Sequence, residues 1–360
     1  MSERLTITAK DIVEWLKTTD RSQLNQLWTM ADQVRRERVG DTVHLRGLVE
    51  FSNDCCRTCL YCGLRHPNSE LLRYRMGTGE VLACAENAAR LGYGTVVLQS
   101  GEMPSMPREW LGKLIRKITL NYGLTVTLSV GERSEDDYRY WYDMGARRCL
   151  LRFETGDGEL YRKLHPIGPS GPIDRIKLLL KLRRIGYNIG SGIMVGLPGQ
   201  TLESIAEDIL TFRDIELYMV GSGPYIANPQ TPLGKTTAKE RASRISARVS
   251  LLARKVLALT RLVCPEAHIP ATSALATVDK DGLLLGLQCG ANVIMPRLTP
   301  EKYQQLYRIY PTPTYAHGPN SPSRAKSVLE RLGRPASRQN DRTPDSLPTK
   351  PDYRESRLSS

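Results

Sequence analysis

The sequence predicts an α/β protein whose strands close into a complete (β/α)8-type barrel. Eight apolar, β-rich runs recur at 43–51, 95–99, 125–130, 148–153, 189–195, 218–224, 267–271 and 289–295. Helical patterns separate most of them, the alternation expected of a parallel sheet. Eight is also the count that lets such a sheet close on itself, although periodicity alone leaves an open doubly wound sheet as the alternative.

Two amphipathic helices come first, at 9–17 and 22–38, with Thr8 and Asp11 placed as a capping box for the first. The runs at 95–99 and 125–130 are almost unbroken Val, Leu and Thr, as suits strands buried on both faces. Helical patterns at 79–91, 108–121, 135–144, 174–185, 202–215 and 239–263 each follow one of the first six strands. The glycine-rich run 190–201 lets a bulky cofactor approach the backbone, and with no Gly-Lys-Ser/Thr after it, it is not a P-loop. From Pro311 onward the chain turns rich in Pro, Ser, Arg and Asp, with nine Lys or Arg against five Asp or Glu. Only 324–332 keeps a helical pattern there. The expected organisation is a helical extension at 1–40, a barrel at 41–311, a helical segment at 312–334 and a disordered tail at 335–360.

A hydrophobic content of 40% over 360 residues supports a sizeable core. No stretch approaches the roughly 18 apolar residues of a membrane span, and the start lacks a secretory apolar region. The net charge of +13 is not gathered into one basic run, and no nucleic-acid-binding module is readable. The expectation is a protein of the reducing cytoplasm, without membrane or nucleic-acid partners, whose basic surface favours acidic proteins or anionic substrates.

The chemistry concentrates in Cys55-x3-Cys59-x2-Cys62, directly after the first strand. Three thiolates in one short loop leave one iron of a four-iron cubane without a protein ligand. A zinc site is the alternative, since His66 follows four residues after Cys62 and makes a Cys3His set possible. Cys56 falls outside the spacing, and the scattered Cys84, Cys149, Cys264 and Cys289 suggest no disulfide framework. Other strand ends carry polar groups. Gln99-Ser100-Gly101-Glu102 forms a glycine turn after the second strand, and Arg152-Phe153-Glu154-Thr155 ends the fourth. An arginine at a barrel mouth clamps a carboxylate in two-point fashion, whereas the plainer reading of Arg152 and Glu154 is an ion pair. Arg175 opens a helix, where it either reaches a carboxylate or stands as a surface charge.

The cysteine loop resembles the signature of the radical SAM superfamily, in which the open iron chelates S-adenosylmethionine (SAM). A narrower resemblance rests on FSNDCCRTCLYCGLR, YRMGTGEVL, TVVLQSGE, TLSVGE, LLRFET, YRKLHP, MVGLPGQT, GPYIANPQTPL, IPATSA, CGANVIMP and QLYRIYP. Together, in this order from about residue 45 to 311, they resemble the HydE family, the E-type maturases of FeFe-hydrogenase assembly. The resemblance implies a complete TIM-type radical SAM barrel with SAM at its top and a long internal cavity. It implies that Cys55, Cys59 and Cys62 hold a 4Fe-4S cluster. Gly101 and Glu102 would meet the SAM amino group, and Tyr61, Ser129, Glu154, Arg175 and Met194 fall on the SAM side. Thr127 and Arg152 match an anion-holding site deeper in the cavity, while Thr272, Met295, Tyr307 and Tyr310 match cavity-lining positions.

The implied function is reductive cleavage of SAM to a 5′-deoxyadenosyl radical, used in building the diiron subcluster of the hydrogenase. A small-molecule or organometallic substrate, other hydrogenase maturases and an electron donor are the implied partners. Some family members carry a second cluster bound by cysteines near the C-terminus. Here Tyr315 stands near the first such position and no cysteine follows Cys289, so no second iron–sulfur cluster is expected. Sulfur insertion of the biotin synthase kind is disfavoured, because no cysteine lies between Cys84 and Cys149 or between Cys149 and Cys264. The alternative enzyme is a radical SAM amino-acid isomerase of the 3-methylornithine synthase type. A non-enzymatic zinc or iron–sulfur scaffold comes last.

Overall fold

The computed structural model describes residues 7–166, 174–237, 242–311 and 320–337. Helices α1 (Ala9–Lys17) and α2 (Arg21–Val39) precede β1 (His44–Ser52). Then follow α3 (Thr78–Arg90), β2 (Thr95–Ser100), α4 (Arg108–Tyr122), β3 (Thr125–Ser129), α5 (Glu135–Asp143) and β4 (Ala146–Leu150). The middle of the chain gives α6 (Gly158–Leu164), α7 (Arg175–Ile185), β5 (Asn188–Ser191), β6 (Met194–Val195), α8 (Leu202–Asp214), β7 (Met219–Val220) and β8 (Gly223–Pro224). Last come α9 (Pro232–Thr237), α10 (Ala242–Val263), α11 (Ser273–Val278), α12 (Gly282–Gln288), β9 (Val293–Ile294), α13 (Glu301–Gln304) and α14 (Pro322–Leu332).

Local chemistry sets these boundaries. The expected capping box is present: Asp11 N–H donates to Thr8 Oγ1 at 3.3 Å and Thr8 N–H to Asp11 Oδ2 at 2.8 Å. Asp174 caps α7 by accepting the Lys177 N–H at 3.0 Å, which sets Arg175 at the first helical position.

Seven strands form one parallel sheet in the order β7-β5-β4-β3-β2-β1-β9, with β6 and β8 paired separately. The sheet is the curled parallel sheet of a half-barrel. Residues 96–98, 126 and 128 are fully buried, as the Val- and Leu-rich runs require, and the outer helices pack Leu111, Ile115, Tyr138 and Trp141 against them. Register aligns Glu50 with Gln99 and Gln99 with Ser129, so the carboxyl ends of β1, β2 and β3 finish at one level.

The second half departs from the expected strands. The 189–195 run splits into β5 and β6, and the 218–224 run into β7 and β8, because the chain tightens at two glycines. A Cβ on Gly192 would lie 2.1 Å from Gly221 O. The 289–295 run keeps only β9. The 267–271 run makes isolated bridges, His268 to Met219 and Pro270 to Val293, rather than a strand. Proline there has no N–H to extend a ladder.

The C-terminal helical pattern is α14. Beyond it, Val43 N–H donates to Pro335 O at 2.9 Å and Ser337 N–H to Val43 O at 2.8 Å, so the expected domain boundary after Arg334 falls within a contact to the start of the sheet. The rest of the expected tail lies outside the described residues, as does Tyr315. Among the described residues, no helix is long and apolar enough to cross a membrane.

Candidate active site

Four consecutive strand ends build the site. β1 delivers the chain to Asn53, whose buried amide donates to Leu72 O at 2.8 Å and Leu306 O at 2.9 Å. Its Oδ1 accepts the Tyr74 N–H at 2.8 Å. One buried side chain thus fixes the mouth of the cysteine loop. Farther along, Leu60 N–H donates to Leu164 O at 2.9 Å and Gly63 N–H to Ile309 O at 2.8 Å. Gly63 packs so closely that a Cβ would lie 1.9 Å from Arg308 O, which explains glycine after Cys62.

The turn after β2 sits directly on this loop. A Cβ on Gly101 would lie 2.1 Å from Asp54 O and 2.8 Å from Cys55 Cβ. Glu102 N–H donates to Cys55 Sγ at 3.4 Å, and Cys56 N–H donates to Glu102 O at 2.9 Å. Cys55, Cys59 and Cys62 share one loop and are largely buried. Burial pushes all three thiols upward, Cys59 to about 11, and for Cys62 the neighbouring Cys59 and Cys55 add to it. Proton-bearing thiols of this kind exchange protons for metal on binding. No group of three or more His, Cys, Asp or Glu among the described residues is gathered tightly enough for a single metal ion. Three electrostatically coupled thiols on one loop, with a backbone N–H aimed at one sulfur, fit the donor set and sulfur hydrogen bonding of an iron–sulfur cluster.

Beside the loop lies a buried charge cluster. Arg57, between Cys55 and Cys59, stands 3.5 Å from Glu102 Oε1 and 3.3 Å from Glu132 Oε2. Arg175 Nε donates to Glu132 Oε1 at 2.7 Å and its Nη1 to Arg152 O at 2.7 Å. Burial, then the Glu132 charge, raises the Glu102 pKa. Arg152 Nη2 pairs with Glu154 Oε2 at 3.0 Å and donates to Ile193 O at 2.6 Å, so the ion pair exists, yet Arg152 Nε is buried without a hydrogen-bond partner among the described residues. Glu154 adopts φ 68°, a conformation uncommon without glycine. Its backbone is held there by bonds to Gly192 O and from Met194 N–H, each 3.1 Å.

Tyr61 and Met194 meet in a small apolar cluster with Leu160, Leu164 and Leu197. Tyr61 Oη lies 2.8 Å from His165 Nε2, and His165 Nδ1 lies 3.0 Å from Tyr161 O. Burial, reinforced by Arg175, pulls the His165 pKa down to about 3, so the ring is neutral. Nδ1 then carries the proton for the carbonyl, and Nε2 accepts from the Tyr61 hydroxyl.

Deeper in, the Thr127 hydroxyl is buried with no hydrogen-bond partner among the described residues, an orphaned polar atom of the kind a ligand satisfies. Ser129 Oγ and Gln99 Oε1 are 3.5 Å apart, and Gln99 also bonds Tyr307. Tyr310 Oη donates to Ser273 Oγ at 3.0 Å. Thr272 caps α11, accepting the Leu275 N–H at 3.3 Å. Met295 directly follows β9 and is partly buried. Sequence reasoning gave no role to Glu132, Arg57 or His165, although each lay inside a quoted motif. The side-chain pairs Glu132–Arg57, Glu132–Arg175 and His165–Tyr61 join residues 43 to 104 apart in sequence.

A thiol loop seated on a glycine turn, at the carboxyl ends of a curled parallel sheet, defines a radical SAM site, and the family model described as the radical SAM superfamily matches residues 49–212. The [FeFe] hydrogenase maturase subunit HydE of Thermotoga maritima is 43% identical over 309 residues, covering 86% of this chain and 85% of that protein. The 3-methylornithine synthase of Methanosarcina barkeri is 27% identical over 298 residues, covering 82% and 81%. The crystal structure of methylornithine synthase (PylB) superposes with a TM-score of 0.74 at 24% identity, covering 92% of this chain and 94% of that one, a likeness of fold. The chain belongs to the HydE family of radical SAM enzymes, a family whose chemistry implies a 4Fe-4S cluster and SAM.

Proposed function

We propose that this protein cleaves SAM reductively and uses the resulting 5′-deoxyadenosyl radical in assembling the diiron subcluster of an FeFe-hydrogenase. The observation that carries the reading is the 43% identity to a HydE maturase over most of both chains, against 27% for the isomerase alternative. When bound, the cluster would supply the electron that breaks the SAM sulfonium bond. In this reading Cys55, Cys59 and Cys62 hold it, and the Gly101–Glu102 turn and Arg175 receive the amino and carboxylate groups of SAM. Tyr61, Ser129, Glu154 and Met194 complete that side. Thr127 and Arg152 hold an anionic group of the substrate, supported by the orphaned Thr127 hydroxyl and Arg152 Nε. Thr272, Met295, Tyr307 and Tyr310 line the cavity.

The same reading takes the sheet as a complete barrel, closed through the His268 and Pro270 bridges, with 1–40 and 312–334 as helical additions and a disordered tail after them. It includes no second iron–sulfur cluster, since no cysteine occurs after Cys289. It places the enzyme in the cytoplasm, working with an electron donor and the other hydrogenase maturases on a small-molecule or organometallic substrate. The test is anaerobic iron–sulfide reconstitution, followed by SAM, a reductant and a cysteine-bound iron carbonyl cyanide complex. Iron equal to one cubane, 5′-deoxyadenosine, and transfer of product to a hydrogenase maturation mixture are expected. Absence of 5′-deoxyadenosine, iron beyond one cubane, or formation of 3-methylornithine would overturn it.

A further inference from the structure

We propose that Glu132 is a positioning residue that locks the SAM-side Arg175 to the cysteine loop, so that SAM affinity depends on a carboxylate that need not touch SAM. The inference rests on the proposed radical SAM function and adds a residue to it.

The turn after β3 is built to bring this carboxylate in. Gly131 has φ +78°, and a Cβ there would lie 2.7 Å from Glu102 Oε2. The Glu132 N–H donates to that same oxygen at 3.0 Å, tying the third strand end to the second. The Glu132 side chain is 1% exposed, a placement a carboxylate tolerates only when paired. Its partners come from two other segments: Arg175 at the start of α7, and Arg57 inside the cysteine spacing.

The two guanidiniums repel, the Arg175 charge acting against that of Arg57. Glu132 and Glu102 alternate with them, and the four charges sum to zero. Arg175 spends Nε on Glu132 and Nη1 on Arg152 O, which leaves Nη2 as the edge free of hydrogen bonds to described residues. An arginine held by two of its nitrogens presents the third in one orientation, and that is preorganisation for an anionic ligand group.

Glu132→Gln keeps the size and one acceptor for Arg175 Nε but removes the charge between the guanidiniums. The measurement is equilibrium dialysis of SAM against cluster-loaded, unreduced protein, with iron content and KM and kcat for 5′-deoxyadenosine formation alongside. The expected result is wild-type iron, a SAM Kd raised at least tenfold, KM raised in step, and kcat changed less than threefold. A second substitution, Arg57→Gln, made in the Glu132→Gln protein should recover part of that affinity, because it removes one of the repelling charges; a purely structural role predicts further loss. Wild-type SAM affinity in Glu132→Gln overturns the proposal. Should Glu132→Gln fail to load iron, Glu132→Asp decides: a carboxylate one methylene shorter reaches one guanidinium but not both. Iron loading with SAM binding weakened at least threefold upholds the proposal, and iron loading with unaltered binding overturns it. Loss of iron loading in both variants assigns Glu132 to loop folding alone and also overturns it. A wild-type protein that loads iron but binds no SAM fails the functional reading itself, a result distinct from every variant outcome.

Discussion

Gly101→Ala tests the joint between the cysteine loop and the turn above it. The added Cβ would lie 2.1 Å from Asp54 O and 2.8 Å from Cys55 Cβ, and the nearest atom is backbone, so no side-chain rotation relieves the contact. Either the turn lifts or the loop recedes. Three hydrogen bonds cross this joint: Gly101 N–H to Ser52 O at 3.2 Å, Cys56 N–H to Glu102 O at 2.9 Å, and Glu102 N–H to Cys55 Sγ at 3.4 Å. At about 1 kcal/mol apiece their loss amounts to about 3 kcal/mol, similar to the cost of overpacking a tight contact. Displacing Cys55 also spoils the three-thiol geometry. The expected result is iron content below half of wild type after anaerobic reconstitution, together with a lowered denaturation midpoint of the iron-free protein. Gly79→Ala is the control. Nothing lies within 4 Å of a Cβ there, in the first turn of α3, so alanine should leave iron loading alone and stabilise by up to about 1 kcal/mol. Wild-type iron content and stability in Gly101→Ala would refute the close-approach argument.

Cys59→Ala should abolish both iron loading and SAM cleavage, while Cys56→Ala, whose structural link is a backbone N–H, should retain both; iron analysis and 5′-deoxyadenosine assay read the difference. Arg152→Lys should load iron normally yet lower hydrogenase maturation at least tenfold, because one ammonium cannot serve Glu154, Ile193 O and a substrate anion together; equal maturation would make Arg152 a structural ion-pair residue. Asp208 is buried, and burial raises its pKa to about 7, with Gly156 N–H bound to one oxygen and the other without a hydrogen-bond partner among the described residues. The folded state therefore holds a proton that the unfolded state releases near pH 4, so stability falls as pH rises from about 4 to 7 and levels off above, by at most about 4 kcal/mol. Asp208→Asn keeps the acceptor for Gly156 and should flatten that decline; urea midpoints at pH 5 and 8 that fall equally in both proteins would contradict it.

The first half of the sheet was legible because its signals are local. Val-, Leu- and Thr-rich runs at 95–99 and 125–130 became β2 and β3 within a residue, and Thr8 with Asp11 marked the start of α1 correctly. The second half was not, for reasons that are long-range. Whether 189–195 is one strand or two depends on how closely Gly192 meets Gly221, a partner 29 residues on in the sequence. The 267–271 run looked like a strand by composition, yet Pro270 withholds a donor and leaves only bridges. Helices α6, α11 and α12 span six or seven residues each, too short for an apolar period to show.

The site divides along the same line. Thiol spacing and the glycine turn are written into consecutive residues, so their place in the chain could be read locally. The pairings that hold them could not: Glu132 meets Arg57 across 75 residues and Arg175 across 43. What sequence could have supplied is the sign of the missing partner. A carboxylate placed by Gly131 at the buried end of a strand needs cations beside it, and Glu102 in the turn after the neighbouring strand adds a like charge. Two carboxylates on adjacent strand ends therefore call for two cations from elsewhere in the chain. The cysteine spacing supplies one at Arg57, and the start of α7 supplies the other at Arg175. The cysteine loop and the start of α7 thus share a charge balance that neither segment could satisfy alone.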